Sequence, residues 1–493
     1  LPEDVADLNE NGNTSELLPY DLNGFRRLVQ DSATNDLGVG TAPFVDAGAH
    51  EFQLDCNGND HPDYLDIADS TSNDANLNEI PDECELTARP VVYVDINATG
   101  NNTGASWTDA FIDLQSALIF ASTNGKGVVE QVWVANGTYY PDRGTGQRMR
   151  SFALPENVAL FGGFAGADSV EHPGGEVSLS QRNMDANKTI LSGDIGASGV
   201  WGDNSYHVVI SDSDTDSPAI DGFTITKGNA DGADDSGKGG GLLVLGGSLK
   251  VWNCSFQDCR AKQGAGIYSH LGEPQLVNCV IRNCQASEEG GALLAYGETV
   301  FPLINCTIVY NSAANSGGVL VTGNSSVYLM NSILWANTAG SGTTEQAQVA
   351  VVAGQVSLDS CCVQGYTGTL PGNLSFGLNP RFHNDGVSLQ MDSPCVDAGS
   401  SYALPEDLYD LDDDGDTSEF LPVDIKGYRR LLDSPHAPNV GLGDPVVDIG
   451  AAEAWFDCDG NGIPDYIDTE KNPERDSDGD GVLDDCEYMA FVD

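Results

Sequence analysis

The sequence predicts an all-β chain, a parallel β-helix carried between two acidic modules. Three observations point there. One stretch repeats at 25–27 residues, its units are strand-rich without long amphipathic helices, and the first and last segments of the chain are copies of each other.

The repeat is read from NCSFQDC at Asn253, NCVIRNC at Asn278, NCTIVYN at Asn305 and NSILWAN at Asn331. In the same phase lie GGLL (240–243), AGIY (265–268), GALL (291–294) and GGVL (317–320). Each unit holds short β-prone runs with Gly or Asn at the corners, and a period of this length signals a solenoid. Stacking at about 4.8 Å per coil would align Asn253, Asn278, Asn305 and Asn331 as an amide ladder. It would also align Cys254, Cys279 and Cys306 as one column and Cys259 and Cys284 as another. A stack of small buried thiols fits these columns better than inter-coil disulfides, which parallel neighbours would hold in strained geometry. SWTDAFIDLQSALIFAS (106–122) has apolar residues at helical spacing behind a Ser or Thr opening and an acidic first turn. A short helix there would cap the open end of the core.

The duplication sets LPEDVADLNENGNTSELLPYDLNGFRRL from Leu1 against LPEDLYDLDDDGDTSEFLPVDIKGYRRL from Leu404. It resumes with VDAGAHEFQLDCNGNDHPDYLDI from Val45 against VDIGAAEAWFDCDGNGIPDYIDT from Val447. The expected domains are therefore 1–88, 89–403 and 404–493. Leu1 is not a start methionine, so the sequence reads as a mature product or an excised segment.

Both copies carry the calcium-loop spacing, with oxygen ligands at positions 1, 3, 5, 7, 9 and 12 and Gly at 6. DSDGDGVLDDCE supplies Asp476, Asp478, Asp480, the Val482 carbonyl, Asp484 and Glu487. DCDGNGIPDYID supplies Asp457, Asp459, Asn461, the Ile463 carbonyl, Asp465 and Asp468, whose reach is shorter than that of Glu. In the first copy the corresponding sets are Asp55, Asn57, Asn59, Asp63 and Asp66, then Asp74, Asn76, Asn78, Asp82 and Glu85. There Asp60 and Glu79 replace the turn glycine at a modest strain cost, so weaker binding is expected. A shorter run, Asp410, Asp412, Asp414 and Asp416, is either a further cation site or a solvated turn. Calcium is the expected cofactor. Cys56/Cys84 and Cys458/Cys486 keep one spacing in both copies, and a disulfide closing each double loop is the natural reading.

Composition narrows the partners. With 75 Asp+Glu against 21 Lys+Arg and a net charge of −54, the surface repels nucleic acid and anionic membranes. No apolar run reaches the roughly 18 residues needed to cross a bilayer. Twelve cysteines, with no CxxC metal pairs or His-rich tract, read as belonging to an oxidising compartment. Sequons such as Asn97, Asn136 and Asn324 are candidate glycan sites.

VYVDINATGNNTGASWTDAFIDLQSAL, QVWVANGTYYP, ALFGGFAG, SQRNMDANKTILSGDI and IDGFTITKGNA together resemble the secreted right-handed parallel β-helix surface proteins of planctomycetes and related bacteria. SPCVDAG and the acidic segment after it resemble the end of that domain. The calcium loops resemble dockerin or thrombospondin type 3 repeats. The resemblance implies a right-handed helix, an extracellular or cell-surface location, and a bridge between Cys362 and Cys395 that leaves Cys361 free.

No GxSxG, HExxH or P-loop pattern occurs. The cations of the regular coils, Lys250, Arg260, Lys262 and Arg282, do not recur in phase with carboxylates. The expectation is therefore a non-catalytic structural subunit of a fibre or surface layer, associating with itself head to tail through its end modules. The rival readings are a carbohydrate-binding or polysaccharide-degrading β-helix and a calcium-dependent adhesin. A groove with stacked aromatics beside a carboxylate–Arg/Lys cluster would mark the carbohydrate reading.

Overall fold

A computed structural model of the chain describes residues 62–69, 71–72, 91–123, 126–212, 217–340, 342–434, 437–461, 463–477 and 483–487. The chain divides into two compact units, Leu1–Ala88 and Arg89–Asp493. In the first unit the described part is the short helix Asp63–Ala68 and the turn after it.

The second unit is a parallel β-helix of about eight turns. Among the described residues, ten strands stack into a first face running from Val91–Val94 to Gly372–Asn373. Eight form a second face from Gly137–Tyr139 to Cys362–Val363, and seven a third from Phe152–Ala153 to Val349–Val351. Five short strands, Asn229–Ala230 to Thr338–Ala339, line a further edge. The repeat sets the register. Ser255 pairs with Val280, Val280 with Thr307 and Thr307 with Ile333. Leu242, Ile267, Leu293 and Val319 stack in the same way on the third face.

The corners explain the asparagines. Asn253, Asn278, Asn305 and Asn331 all take φ between 49° and 52°, a left-handed conformation that Asn tolerates better than other side chains bearing a Cβ. Their amides pair as expected within two couples. Asn278 Nδ2 donates to Asn253 Oδ1, and Asn331 Nδ2 to Asn305 Oδ1, both at 3.1 Å. Between the couples the ladder is interrupted: Asn278 Oδ1 accepts from Arg430, and Asn305 Nδ2 donates to the Asp448 carbonyl at 3.0 Å.

Inward side chains fill the shaft with Val, Leu, Ile and Phe. Cys254, Cys279, Cys306 and Cys361, with Cys259 and Cys284, lie in this core as fully buried free thiols. Their Sγ–H groups are satisfied by backbone carbonyls, Cys279 donating to Val251 O at 3.2 Å. Burial pushes the Cys254 thiol far above its usual range and Cys361 up to about 12. The Cys362–Cys395 bridge is not formed: both are buried free thiols in contact under the C-terminal segment.

One end of the core is closed by the helix Leu114–Ser122, whose Leu114, Ala117, Leu118 and Ala121 are buried against it. The cap differs from the expected one. Asp113, not a Ser or Thr, accepts the Ser116 N–H at 2.8 Å, and the first turn carries no acid. Residues 106–112 stay outside the helix, and Trp107 packs instead on the outer side of the first face.

The segment after 403 folds back along the shaft as part of the same unit. Leu411 and Leu421 pack on Trp252 and Phe161 of the first face. Arg430, fully buried, pairs with Glu453 at 2.8 Å.

Candidate functional site

The second face has an outward side that loops enclose. Stacking places Gln257 beside Arg282, and Ser255 between Thr224 and Val280. Alternation turns Phe256 and Ile281 into the core and leaves Ser255, Gln257 and Arg282 half-buried on the outside. Two returning loops wall this floor. One carries Asp385, whose carboxylate accepts from the Val387 and Ser388 N–H groups at 3.0 and 2.9 Å. The other carries Lys426 on a turn whose N–H groups bond the buried Asp424. A third rim, with Asp185 and Lys188, completes a groove of about 350 Å³. It crosses four stacked strands, a span of about 14 Å at the inter-strand spacing.

The charges in this groove are set by their neighbours. Lys426 Nζ donates to Ser388 Oγ at 2.6 Å and lies 3.5 Å from Asp385 Oδ2. Burial works to raise the Asp385 carboxyl. The Ser388 hydroxyl, the two backbone N–H groups and the Lys426 ammonium outweigh it and hold the group below its usual range. Lys188 pairs with Asp185 at 3.1 Å. Arg282 differs. Its Nε and Nη2 donate to Gln257 Oε1 at 3.1 and 2.9 Å, and its Nη1 to the Asp385 carbonyl at 3.0 Å. It is held by neutral acceptors, so its charge is fixed in place without a carboxylate to offset it. Such a preoriented guanidinium is suited to carboxylate, sulfate or phosphate oxygens. The groove has part of the signature expected for carbohydrate. Its one lining aromatic, Phe223, is buried, and the half-exposed Tyr310 stands near Gly386, next to the lining Asp385.

The loop 457–468 is held by bonds among its own residues. The Asn461 N–H donates to Asp457 Oδ1 and Asp459 Oδ1, both at 3.1 Å, and the Ile463 N–H to Asn461 Oδ1 at 2.7 Å. Asp465 and Asp468 are buried, and Asp468 Oδ2 accepts from Asn461 Nδ2 at 2.7 Å. Burial, opposed by the Cys458 N–H and helped by Asp457, Asp459 and Asp468, raises Asp465. Short helices, which the spacing of these loops does not predict, begin at the ninth position of three of them: Asp63–Ala68, Asp465–Lys471 and Asp484–Glu487. Pro62 and Pro464 stand at the N-caps of the first two, with ψ of 138° and 135°.

Asp66, with Thr71 bonded to it, and Asp476 and Asp484 are described; Ser477 N donates to Asp484 Oδ1 at 2.8 Å. Asp55, Asn57, Asn59, Asp74, Asn76, Asn78, Asp82, Glu85, Asp478, Asp480 and Val482 lie outside the described residues, as do Cys56, Cys84 and the side chains of Asp63, Cys486 and Glu487. Cys458 is disulfide-bonded. Asp410, Asp412 and Asp414 bring one carboxylate oxygen each within 4.8 Å of one another.

Sequence reasoning passed over Gln257, Asp385 and Lys426 entirely, and treated Arg282 as an isolated cation. The pairing of Gln257 with Arg282 was available from the repeat; the contact with Asp385 was not, because that residue arrives from a loop 103 positions away.

A family model described as the right-handed β-helix region matches residues 174–334. The shaft is accordingly a right-handed parallel β-helix. Solved structures of similar fold include the pectin methylesterase of Aspergillus niger in deglycosylated form, at 14% identity, covering 60% of this chain and 93% of that one with a TM-score of 0.32. Pectin methylesterase PemA of Erwinia chrysanthemi matches at 11% identity, covering 57% of this chain and 80% of that one, also with a TM-score of 0.32. No curated protein matches the chain. The expectation of a non-enzyme is corrected against these neighbours, both of them pectin methylesterases, and at TM-scores of 0.32 they carry no activity over to this chain.

Proposed function

We propose that the chain is an extracellular, calcium-dependent β-helix protein that binds an anionic polysaccharide in the groove over its second face. One observation carries this reading. In a chain of −54 with 21 Lys+Arg, the groove gathers Lys188, Arg282 and Lys426, and the Arg282 guanidinium is held there by neutral acceptors. Long-range repulsion from the rest of the surface disfavours polyanions in general. A uronate- or sulfate-bearing glycan short enough to sit between the loops would meet the local cations, while the Thr224, Ser255 and Gln257 side chains supply hydrogen bonds to hydroxyls.

The test is calorimetric titration of the full chain with galacturonate oligomers and with neutral oligosaccharides, followed by analysis for shortened products. The reading expects binding of the charged series, lost in R282Q, and no heat from the neutral one. Equal binding of both series, or R282Q binding as the wild type does, overturns it.

A second reading, self-association head to tail in a fibre or surface layer, is favoured by the near-copying of the segment 404–487 at 1–85. Light scattering with and without a chelator tests it; a monomer in both conditions rules it out.

A further inference from the structure

Asp407 and Glu419 stand opposite each other at the base of a hairpin. Glu406 bridges Phe420 in an antiparallel pair, and the Asp407 N–H donates to the Glu419 carbonyl at 2.9 Å. The intervening chain brings Asp412 to the same place. One carboxylate oxygen from each of Asp407, Asp412 and Glu419 lies within 4.8 Å of those of the other two.

Two oxygens in this group have nothing in the protein to bond. Asp407 is fully buried; its Oδ2 accepts the Leu411 N–H at 2.6 Å, while Oδ1 has no partner. Glu419 Oε1 is also sheltered from solvent without one. An unsatisfied buried acceptor is costly, and like charges at this range add repulsion. A hard cation would relieve both. The dimension suits calcium: oxygens at about 2.3–2.6 Å from one ion stand at most about 5 Å apart. The donors are all carboxylates, as a hard ion requires, with no thiol or imidazole among them.

We infer that Asp407, Asp412 and Glu419 hold a divalent cation of the calcium type, which clasps the hairpin 406–420 against the outside of the shaft. The site shares only Asp412 with the run Asp410, Asp412 and Asp414 marked by spacing. Its mechanical meaning comes from what flanks it. Leu411 and Leu421, on the two arms, are buried against Trp252 and Phe161. Tyr409 meets the edges of both rings at 5.7 and 5.2 Å. Joining the arms through one ion holds these apolar contacts in register, in a segment tied down by few backbone bonds of its own.

Hydrogen exchange of the full chain in calcium, magnesium or chelator tests the inference. Calcium is expected to slow exchange across 406–421. The double variant D407N/E419Q is expected to lose that protection while the shaft strands exchange as in the wild type. Because Asp412 is exposed, D412N leaves the core intact and decides the matter if the double variant does not fold; it too is expected to lose the protection. D410N/D414N is expected to keep it. Exchange that is insensitive to calcium, equal protection by magnesium, protection surviving in D407N/E419Q or in D412N, or protection lost in D410N/D414N would each overturn the assignment.

Discussion

The Arg430 guanidinium donates from Nη2 to Asn278 Oδ1 at 2.9 Å across 152 residues of sequence, and from Nη1 to Glu453 Oε2 at 2.8 Å. Asn278 passes the connection to Asn253, and Asn253 to Asp221, which Arg182 meets at 2.7 Å. The returning C-terminal segment is thus bonded into the corner ladder of the shaft rather than laid over it. Arg430 and Glu453 are both fully buried; burial and the neighbouring Asp448 push the Glu453 carboxyl well up, and Arg430 opposes them.

Arg430→Ala is accordingly expected to destabilise the second unit by about 3–5 kcal/mol, the range for breaking one side of a buried pair. Glu453 and Asn278 would each lose a donor, while Asn253 would keep its bond to Asp221. Urea unfolding followed by tryptophan fluorescence checks this. A change below about 1 kcal/mol would mean that the pair is replaceable by water.

The pH dependence follows from Asp448 and Asp397. Burial pushes Asp448 up to about 7 against the Asp397 and Ala454 N–H groups that favour its charge, and pushes Asp397 up to about 6. Unfolded carboxyls titrate near about 4, so the folded chain holds more protons between these values. The stability these groups contribute is full below about pH 4 and is lost as pH rises through about 6 and 7. In chelator, the urea midpoint is expected to fall from pH 5 to pH 8. Asp448→Asn should flatten that slope; an unchanged slope would exclude Asp448 as its source.

What could be read in advance follows how far each feature reaches along the chain. The coil period was legible because each turn needs Asn or Gly at the same left-handed corner, as at Asn253 and Asn278. The break between Asn278 and Asn305 was not, because Arg430 and Asp448 enter from more than 140 residues away. Asp412 was visible in its acidic run. Asp407 and Glu419 were hidden, since a hairpin joins them where regular spacing does not. The loop helices were missed because each lasts at most seven residues, too short for an apolar period.

The thiols give a prediction without mutation. The eight described free cysteines are all buried, and thiolate formation inside an apolar shaft is disfavoured. The native chain is expected to leave all eight unreactive toward a thiol-directed chromogenic disulfide, with all of them reacting after denaturation without reductant. Rapid labelling of Cys362 or Cys395 in the native state would show that the segment over them opens.

The loop 457–468 ends on Asp468, which spends Oδ2 on Asn461 Nδ2 at 2.7 Å. A twelfth-position Glu reaches far enough to bind calcium through both oxygens, and ligand reach and charge tune these loops over orders of magnitude. If the loop takes calcium, Asp468→Glu should bind it more tightly, because the longer side chain also frees Asn461 to turn its Oδ1 inward. Asp457→Asn should bind it more weakly by removing a first-position charge. Exchange of the amides of the helix Asp465–Lys471, followed through a calcium titration of the full chain, reads both changes locally. The midpoint is expected to move to lower calcium in the first variant and to higher calcium in the second. Coincident midpoints in the two variants and the wild type would mean that the helix is held by Pro464 and its own backbone, with no ion in the loop.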